Sequence, residues 1–182
     1  MEGFVSQDAR MTETQPESTE RTELISALAK QRQFLRQTVQ GLNDEQITRR
    51  TTPSELCLGG VIKHVAFVET NWLNFIEQGP SAVDSSTPTA TEEHANSFRV
   101  LPGETLDLLL DRYDQVGQRT QKLVVNLPSL DDSQPFPAAP WFEPGARWSA
   151  RTVLLHILAE TAQHSGHADV IREGLDGAKT MG

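Results

Sequence analysis

The chain has 182 residues, of which 37% are apolar, and it carries a formal net charge of −9. This composition is typical of one globular domain that buries its own core, and the negative charge argues against nucleic acid or an anionic membrane surface as a partner. The apolar runs are short and interrupted by charge, so we expect neither a spanning helix nor a signal peptide and place the protein in the cytoplasm. The single cysteine, Cys57, excludes an internal disulfide and a cysteine zinc cluster.

The N-terminal segment, residues 1–20, is polar and without apolar periodicity, which predicts a disordered tail followed by a single domain over residues 21–178. From Thr22 the pattern becomes that of an amphipathic helix. Its apolar stripe consists of Leu24, Leu28, Leu35, Val39 and Leu42. The sequence LNDEQ that follows predicts a new helix cap at Asn43 or Asp44.

The second predicted helix spans residues 54–78, is capped by a Thr or Ser around Pro53, and is apolar around most of its circumference, with His64 near its middle. Residues 80–102 then form a polar stretch far longer than the few residues that join antiparallel neighbours. This stretch predicts a long crossover, and its histidine, His94, is a poor candidate for a site.

The third predicted helix spans residues 103–127, and the fourth is capped by Ser149 and ends near Gly174 or Gly177. Between them lies a proline-broken loop that we expect to be packed, because it carries Phe136, Trp141, Phe142 and Trp148. No strand is predicted. Four helices with one long crossover between the second and third predict an all-α, four-helix bundle in up-down-down-up order.

The fourth helix carries a candidate chelating pair, Glu160 and His164, whose four-residue spacing places both side chains on one face. His64 is the third candidate ligand, because a histidine in an apolar helical face needs a hydrogen-bonding or metal partner. Three protein ligands with one open position are typical of catalytic divalent-metal sites. His156 lies about 12 Å along the axis from His164 and is too far to share an ion with it. The spacing alone also fits a solvated Glu–His pair.

One carboxylate and two neutral imidazoles would leave a divalent ion with about one net positive charge. Such an ion can lower the pKa of a bound water or thiol, so a thiolate nucleophile is one chemistry that this ligand set favours. His167 follows His164 by three residues and could be a fourth ligand, a hydrogen-bond partner of a ligand, or a substrate-facing acid and base. We favour the last two interpretations.

Two segments carry a family resemblance: LGGVIKHVAFVETNW and WSARTVLLHILAETAQHSGHADVIREGLDG. Together they resemble the actinobacterial-type branch of the DinB-like superfamily, which is similar to mycothiol-dependent maleylpyruvate isomerases and thiol S-transferases. The resemblance extends from about Thr22 to Gly177 and implies an up-down-down-up bundle with a divalent metal. It implies His64, Glu160 and His164 as ligands, with Glu160 in the place of the usual first histidine of the pair. SGH stands where the superfamily has Arg-Gly-Gln, which puts His167 at the glutamine position.

The resemblance implies a metal-dependent transferase that activates a low-molecular-weight thiol such as mycothiol for S-transfer to an electrophilic small molecule. The expected cofactors are a divalent metal, zinc or nickel, and the thiol. The expected partners are this thiol, the electrophile and a second copy of the chain in a homodimer. Two alternatives stay open: a non-catalytic, stress-related bundle that binds a metal or ligand, and a metal-assisted hydrolase with His167 as the base.

Overall fold

The computed structural model describes residues 14–138 and 142–180, with side chains described from residue 19 onward. Within these ranges the protein is mostly helical. The helices are α1 (Thr14–Gln37), α2 (Leu58–Gln78), α3 (Pro88–Ser97), α4 (Leu106–Asn126) and α5 (Ala150–Asp176), and the strands are β1 (Ser133–Pro135) and β2 (Arg147–Ser149). Short 3-10 turns cover Gln46–Thr48 and Pro80–Val83. No helix in the described ranges has both the length and the apolar composition that crossing a bilayer requires.

The four long helices pack around a shared core. α1 packs mainly against α4 and α5, and α2 also packs mainly against α4 and α5. One end of the core is formed by residues such as Leu35, Val61 and Leu109, and the other end by residues such as Leu73, Val124 and Leu154. α2 contributes to both ends and packs against α3 as well as α4 and α5, which explains why its sequence is apolar around most of its circumference.

The first helix begins at Thr14, inside the segment that composition predicts to be a tail. Glu20, in the first half of α1, pairs with Arg151 of α5. This long-range contact ties α1 to the bundle one turn before the apolar stripe begins at Leu24. Residues 1–13 lie outside the described residues, so the disorder predicted for them stays a prediction.

The second helix begins at Leu58 with Cys57 as its N-cap, so the predicted start at Ser54 is wrong. The reason is a tertiary contact, because the Thr51 hydroxyl donates to the carbonyl of Ile171 on α5 instead of capping a helix. Cys57 itself is buried, with 7% of its surface exposed. Upstream, Asn43 precedes the 3-10 turn Gln46–Thr48, and its side-chain oxygen accepts a hydrogen bond from the Gln46 amide.

The crossover contains a helix that the sequence analysis missed. Thr87 caps α3 by accepting a hydrogen bond from the Ala90 amide, and Pro88 is the first helical residue. Both residues are typical of a helix N-terminus, but the segment has only a weak apolar stripe. α3 packs against α2, and its last residue, Ser97, is buried.

The loop before α5 contains the two strands, which pair antiparallel with Gln134 opposite Trp148. Their presence corrects the expectation of no strand, and it follows from a hairpin too short to show alternating hydrophobicity. Phe136 and Trp148 pack against the core, so the loop is packed as predicted. Trp141 lies outside the described residues.

The last helix is the one whose bounds the sequence predicts best. Ser149 accepts a hydrogen bond from the Thr152 amide, and Gly177 ends the helix with a φ of 80°. A left-handed backbone at this position favours glycine, which has no Cβ to clash. The predicted cap is confirmed, and of the two predicted ends, Gly174 and Gly177, the helix ends at Gly177.

A buried ion pair joins α1, α2 and α4. Glu69 of α2 is 1% exposed, pairs with Arg32 of α1, and accepts a hydrogen bond from the Thr120 hydroxyl of α4. The charge of this carboxylate is therefore balanced by a cation from the chain itself.

Candidate metal centre

Three of the predicted site residues come together between α2 and α5. One potential ligand atom from each of His64, Glu160 and His164 lies within 4.8 Å of the other two. His64 is 3% exposed, whereas the His164 and Glu160 side chains are 12% and 28% exposed. The site therefore lies at the edge of the core, with Glu160 on its solvent side.

The helices explain why these side chains meet. Glu160 and His164 are one turn apart on α5, and Glu160 Oε2 lies 3.7 Å from His164 Nε2. α2 packs directly against α5, and the ring centroids of His64 and His164 are 4.9 Å apart. The two candidate ligands at four-residue spacing are close in sequence, but the third, His64, reaches them only through tertiary packing.

Burial keeps both imidazoles neutral. It lowers the pKa of His64 to about 3, with further lowering from the positive charges that His164 and His94 would carry. Burial also lowers the pKa of His164; the Glu160 charge opposes this, and the His167 charge adds to the lowering. A neutral imidazole has a free lone pair for a metal, whereas an imidazolium has none.

The crossover helix supplies neighbours to His64 that the sequence analysis did not find. The Phe98 ring stacks on the His64 ring with centroids 3.6 Å apart, and Ser97 Oγ lies 2.8 Å from His64 Nδ1. His94 lies edge-on to His64 at 5.5 Å and is exposed, so it stays outside the ligand cluster within the described residues. The Thr87–Pro88 helix start was the sequence feature that could have indicated α3.

His156 lies on the same face of α5 but points into an aromatic group. Its ring is 4.8 Å from that of Trp72 and 5.1 Å from that of Trp148, and those two indole rings stack on each other. Its Nε2 is 4.0 Å from Glu160 Oε1. Burial lowers the pKa of His156, although Glu160 opposes the shift. His156 therefore lies between the candidate centre and the aromatic group.

His167 lies on the other side of His164. Its Nδ1 is 3.5 Å from His164 Nδ1, and the residue is exposed. Since His164 Nε2 faces Glu160, His167 contacts the ring nitrogen that faces away from the carboxylate. His167 therefore contacts the candidate ligand His164 and is also accessible from solvent.

The donor set fits a divalent transition metal. Two neutral imidazoles and one carboxylate are ligand types that zinc and nickel accept, and three such protein ligands would leave a coordination position open. Among the described residues, Glu160 has two imidazoles as its ionic neighbours, without an arginine or lysine. The candidate centre therefore places imidazole nitrogens beside the Glu160 carboxylate, whose negative charge no described arginine or lysine balances.

Comparisons with known proteins identify a family and a solved structure with a similar fold. A sequence model of the mycothiol-S-transferase family matches residues 23–177. The crystal structure of a conserved protein from Enterococcus faecalis has the same fold, with a TM-score of 0.60 at 14% identity over 86% of this chain and 97% of that chain. No curated protein matches the chain significantly. The family match confirms the resemblance drawn from the two quoted segments, and the chain belongs to the mycothiol-S-transferase family.

Proposed function

We propose that this protein is a metal-dependent transferase that activates a low-molecular-weight thiol, such as mycothiol, for transfer to an electrophilic small molecule. The observation that carries the proposal is the cluster of His64, Glu160 and His164, with ligand atoms within 4.8 Å of one another. Membership in the mycothiol-S-transferase family supports the thiol as substrate. The cluster supports the metal dependence, with zinc or nickel as the ion.

The ligand charges suit thiol activation. A divalent ion held by one carboxylate and two neutral imidazoles keeps about one net positive charge, which lowers the pKa of a coordinated thiol. The chain supplies this balance through Glu160, the one carboxylate of the cluster, and through burial that keeps His64 and His164 uncharged. A second carboxylate in the place of either histidine would weaken this effect, because it would neutralise the remaining charge.

The aromatic group beside Glu160 is the proposed entry for the electrophile. The stacked rings of Trp72 and Trp148 offer an apolar surface, and His156 connects this surface to Glu160. An apolar electrophile that packs there would lie next to the ligand cluster while water is displaced from the indole faces. Trp141, the other tryptophan of the loop, lies outside the described residues.

His167 is the proposed acid and base on the solvent side. It contacts His164 and is exposed, so it can exchange protons with water and with a molecule bound at the cluster. In this role it accepts the thiol proton as the thiol binds. When the sulfur forms its bond to carbon and displaces a leaving group such as chloride, His167 releases this proton to water. The proton therefore leaves by a side chain that is not itself one of the three ligands.

We also propose the up-down-down-up order for the four long helices. α1 and α5 run in the same direction. Near their N-terminal ends Glu20 pairs with Arg151, and near their C-terminal ends the Thr38 carbonyl accepts a hydrogen bond from Arg172. Contacts of α2 with α5 run in the opposite sense: His64 with His164, and Trp72 with His156. Parallel α1–α5 and antiparallel α2–α5 pairs support this order, for which the crossover 80–102 supplies the required length.

The experiment that tests the function is conjugation of monochlorobimane to mycothiol, followed by fluorescence. We expect conjugation by the zinc- or nickel-loaded protein, loss of activity on chelation, and recovery when the ion is returned. His167→Ala should slow conjugation while the protein keeps its ion, because the ligands are intact. Metal binding without conjugation of any bacterial thiol would instead support the non-catalytic bundle.

Two finer points stay predictions of the proposal. Elemental analysis distinguishes zinc from nickel as the native ion, and sedimentation of the purified protein tests the homodimer. The hydrolase alternative predicts ester or amide cleavage that depends on His167 and needs no thiol. Conjugation without such cleavage would exclude it.

A further inference from the structure

We infer that Ser97 is a positioning residue that fixes the tautomer and the ring orientation of His64, so that His64 Nε2 is the atom offered to a metal ion. The consequence for metal binding rests on the proposed function, whereas the tautomer itself does not. Ser97 belongs to α3, the helix inside the crossover, and it touches none of the other candidate ligands in the described contacts.

The hydrogen bonds of the Ser97 hydroxyl determine the direction of the contact. Ser97 Oγ donates to the His94 carbonyl at 2.6 Å, and a carbonyl oxygen can only accept. The single hydroxyl hydrogen is thereby used, so Ser97 Oγ accepts from His64 Nδ1 at 2.8 Å. His64 therefore carries its proton on Nδ1 and presents an unprotonated Nε2.

Burial makes this choice of tautomer strong. Ser97 is 2% exposed and His64 is 3% exposed, so bulk water does not compete for either group. The other tautomer would leave an Nδ1 lone pair facing an oxygen that has no hydrogen to give, and a buried acceptor without a donor is costly.

The orientation of the ring is fixed from the same segment. Phe98 stacks on His64 with an interplanar angle of 18°, which blocks rotation of the imidazole about its side-chain bond. Ser97 and Phe98 are adjacent in sequence. One short segment therefore supplies both a hydrogen bond to the edge of the His64 ring and a stacking contact to its face.

Two glycines of α2 allow this backbone to approach. A Cβ at Gly60 would lie 2.1 Å from the Phe98 carbonyl oxygen, and a Cβ at Gly59 would lie 2.6 Å from a methyl carbon of Val100. Since Cβ atoms do not approach other atoms this closely, the segment can lie on α2 only where glycines stand. Gly60 lies one turn before His64 on α2, so the close approach there brings Ser97 and Phe98 against the His64 ring.

A hydroxyl partner also preserves the charge balance of the centre. An aspartate at this position would orient the imidazole equally well, but it would add a negative charge next to the ligand set. Ser97 orients His64 while leaving Glu160 as the one carboxylate of the cluster.

The first test is the tautomer of His64 in the metal-free protein, measured by long-range proton–nitrogen NMR. We expect the pattern of a neutral ring protonated on Nδ1, and a ring protonated on Nε2 would overturn the inference. This result does not depend on whether the protein binds a metal or transfers a thiol. The tautomer can therefore be confirmed even if the proposed function fails.

The second test is zinc affinity, measured by competition with a chromophoric chelator. Ser97→Ala should weaken binding by about 10- to 100-fold, and its His64 should show a mixture of tautomers. Ser97→Thr keeps the hydroxyl and should restore most of the affinity. Ser165→Ala is the matched control, because Ser165 is also buried but donates only to the Thr161 carbonyl of its own helix.

Unchanged affinity and an unchanged tautomer in Ser97→Ala would contradict the inference. If the wild-type protein binds no zinc, the proposed function fails, and the NMR measurement alone still decides the tautomer. If Ser97→Ala does not fold, Ser97→Thr and the wild-type spectrum carry the test.

Discussion

α2 carries two buried ionisable groups five positions apart, and the chain treats them in opposite ways. Glu69 pairs with Arg32 of α1 and accepts a hydrogen bond from the Thr120 hydroxyl of α4. His64 instead faces α5, where a second imidazole and the Glu160 carboxylate gather next to it. The Glu69 carboxylate is therefore paired with a cation of the protein itself. The Glu160 carboxylate beside His64 has only imidazoles next to it, with no arginine or lysine among the described residues.

This difference separates a structural polar group from a candidate binding centre. A buried carboxylate costs several kcal/mol unless a cation balances it, so a fully paired carboxylate needs no ligand. Three donors of the kinds that bind zinc, with ligand atoms close together and both imidazoles neutral, point to a cation from outside the chain. The comparison predicts that disrupting the two groups has separate consequences: lower stability in one case and lost metal in the other.

The largest effect on folding should come from Arg32→Ala. This change leaves the Glu69 carboxylate buried without its cation, and we expect the free energy of unfolding to fall by about 3–5 kcal/mol. Urea unfolding of the metal-free protein measures it. Arg36→Ala is the matched control on the same helix, because Arg36 pairs with the exposed Asp114, and it should cost less than about 1 kcal/mol. Similar losses for both variants would show that the buried Glu69 pair stabilises the fold no more than the exposed Asp114 pair.

The ligand cluster should respond in the opposite way. Glu160→Gln should weaken zinc binding by at least about 100-fold, yet change the stability of the metal-free protein by no more than about 0.5 kcal/mol because the residue is partly exposed. His64→Ala and His164→Ala should also lose the ion, and His156→Ala should keep it. If His156→Ala loses the ion while His164→Ala keeps it, the chelating pair has been chosen wrongly.

Metal should stabilise the folded protein by mass action. At free zinc about 100 times the dissociation constant, the free energy of unfolding should rise by about 2.7 kcal/mol, and chelation should reverse the gain. Thermal unfolding with and without zinc measures the difference. The same gain in Glu160→Gln would show that zinc binds somewhere else on the protein.

A weaker effect is expected at Glu104, which pairs with Lys63 of α2 and Arg112 of α4. Burial acts to raise the pKa of Glu104, but hydrogen bonds from the Leu101 amide and Lys63, with the Lys63 charge, hold that pKa below its ordinary value. The folded state therefore favours the charged form. The resulting stability is present above the unfolded pKa and is lost as the pH falls through the folded one.

Glu104→Gln should accordingly cost about 1 kcal/mol at pH 7, and the difference from wild type should shrink as the pH falls below about 4. Urea unfolding at several pH values measures this trend. Glu45→Gln is the control, because its pair with Arg49 is exposed, and it should have little effect at any pH. A Glu104→Gln cost that stays constant down to acid pH would contradict the assignment.

The sequence predicts those parts of the site that depend on local spacing. Glu160 and His164 are four residues apart on a helix whose cap, Ser149, and end, Gly177, can be read directly, so their meeting follows from helix geometry. His64 could be selected because a histidine in an apolar face needs a partner. The charge of the ligand set indicated activation of a water or a thiol, and the family resemblance then favoured the thiol.

The neighbours of His64 could not be predicted, because they depend on tertiary contacts. α3 has a cap at Thr87 but a weak apolar stripe, and its position on α2 depends on close approach at Gly59 and Gly60. Ser97 and Phe98 are more than thirty residues from His64 in sequence. For the same reason the start of α2 was misplaced, since Thr51 bonds to α5 rather than capping its own helix.

The most direct test of the central claim is elemental analysis of protein purified without an immobilised-metal column. We predict about one divalent ion per chain in the wild-type protein, zinc or nickel, and almost none in Glu160→Gln prepared in the same way. Wild-type protein that carries no ion, and takes up none after incubation with zinc or nickel, would contradict the claim that His64, Glu160 and His164 form a metal centre.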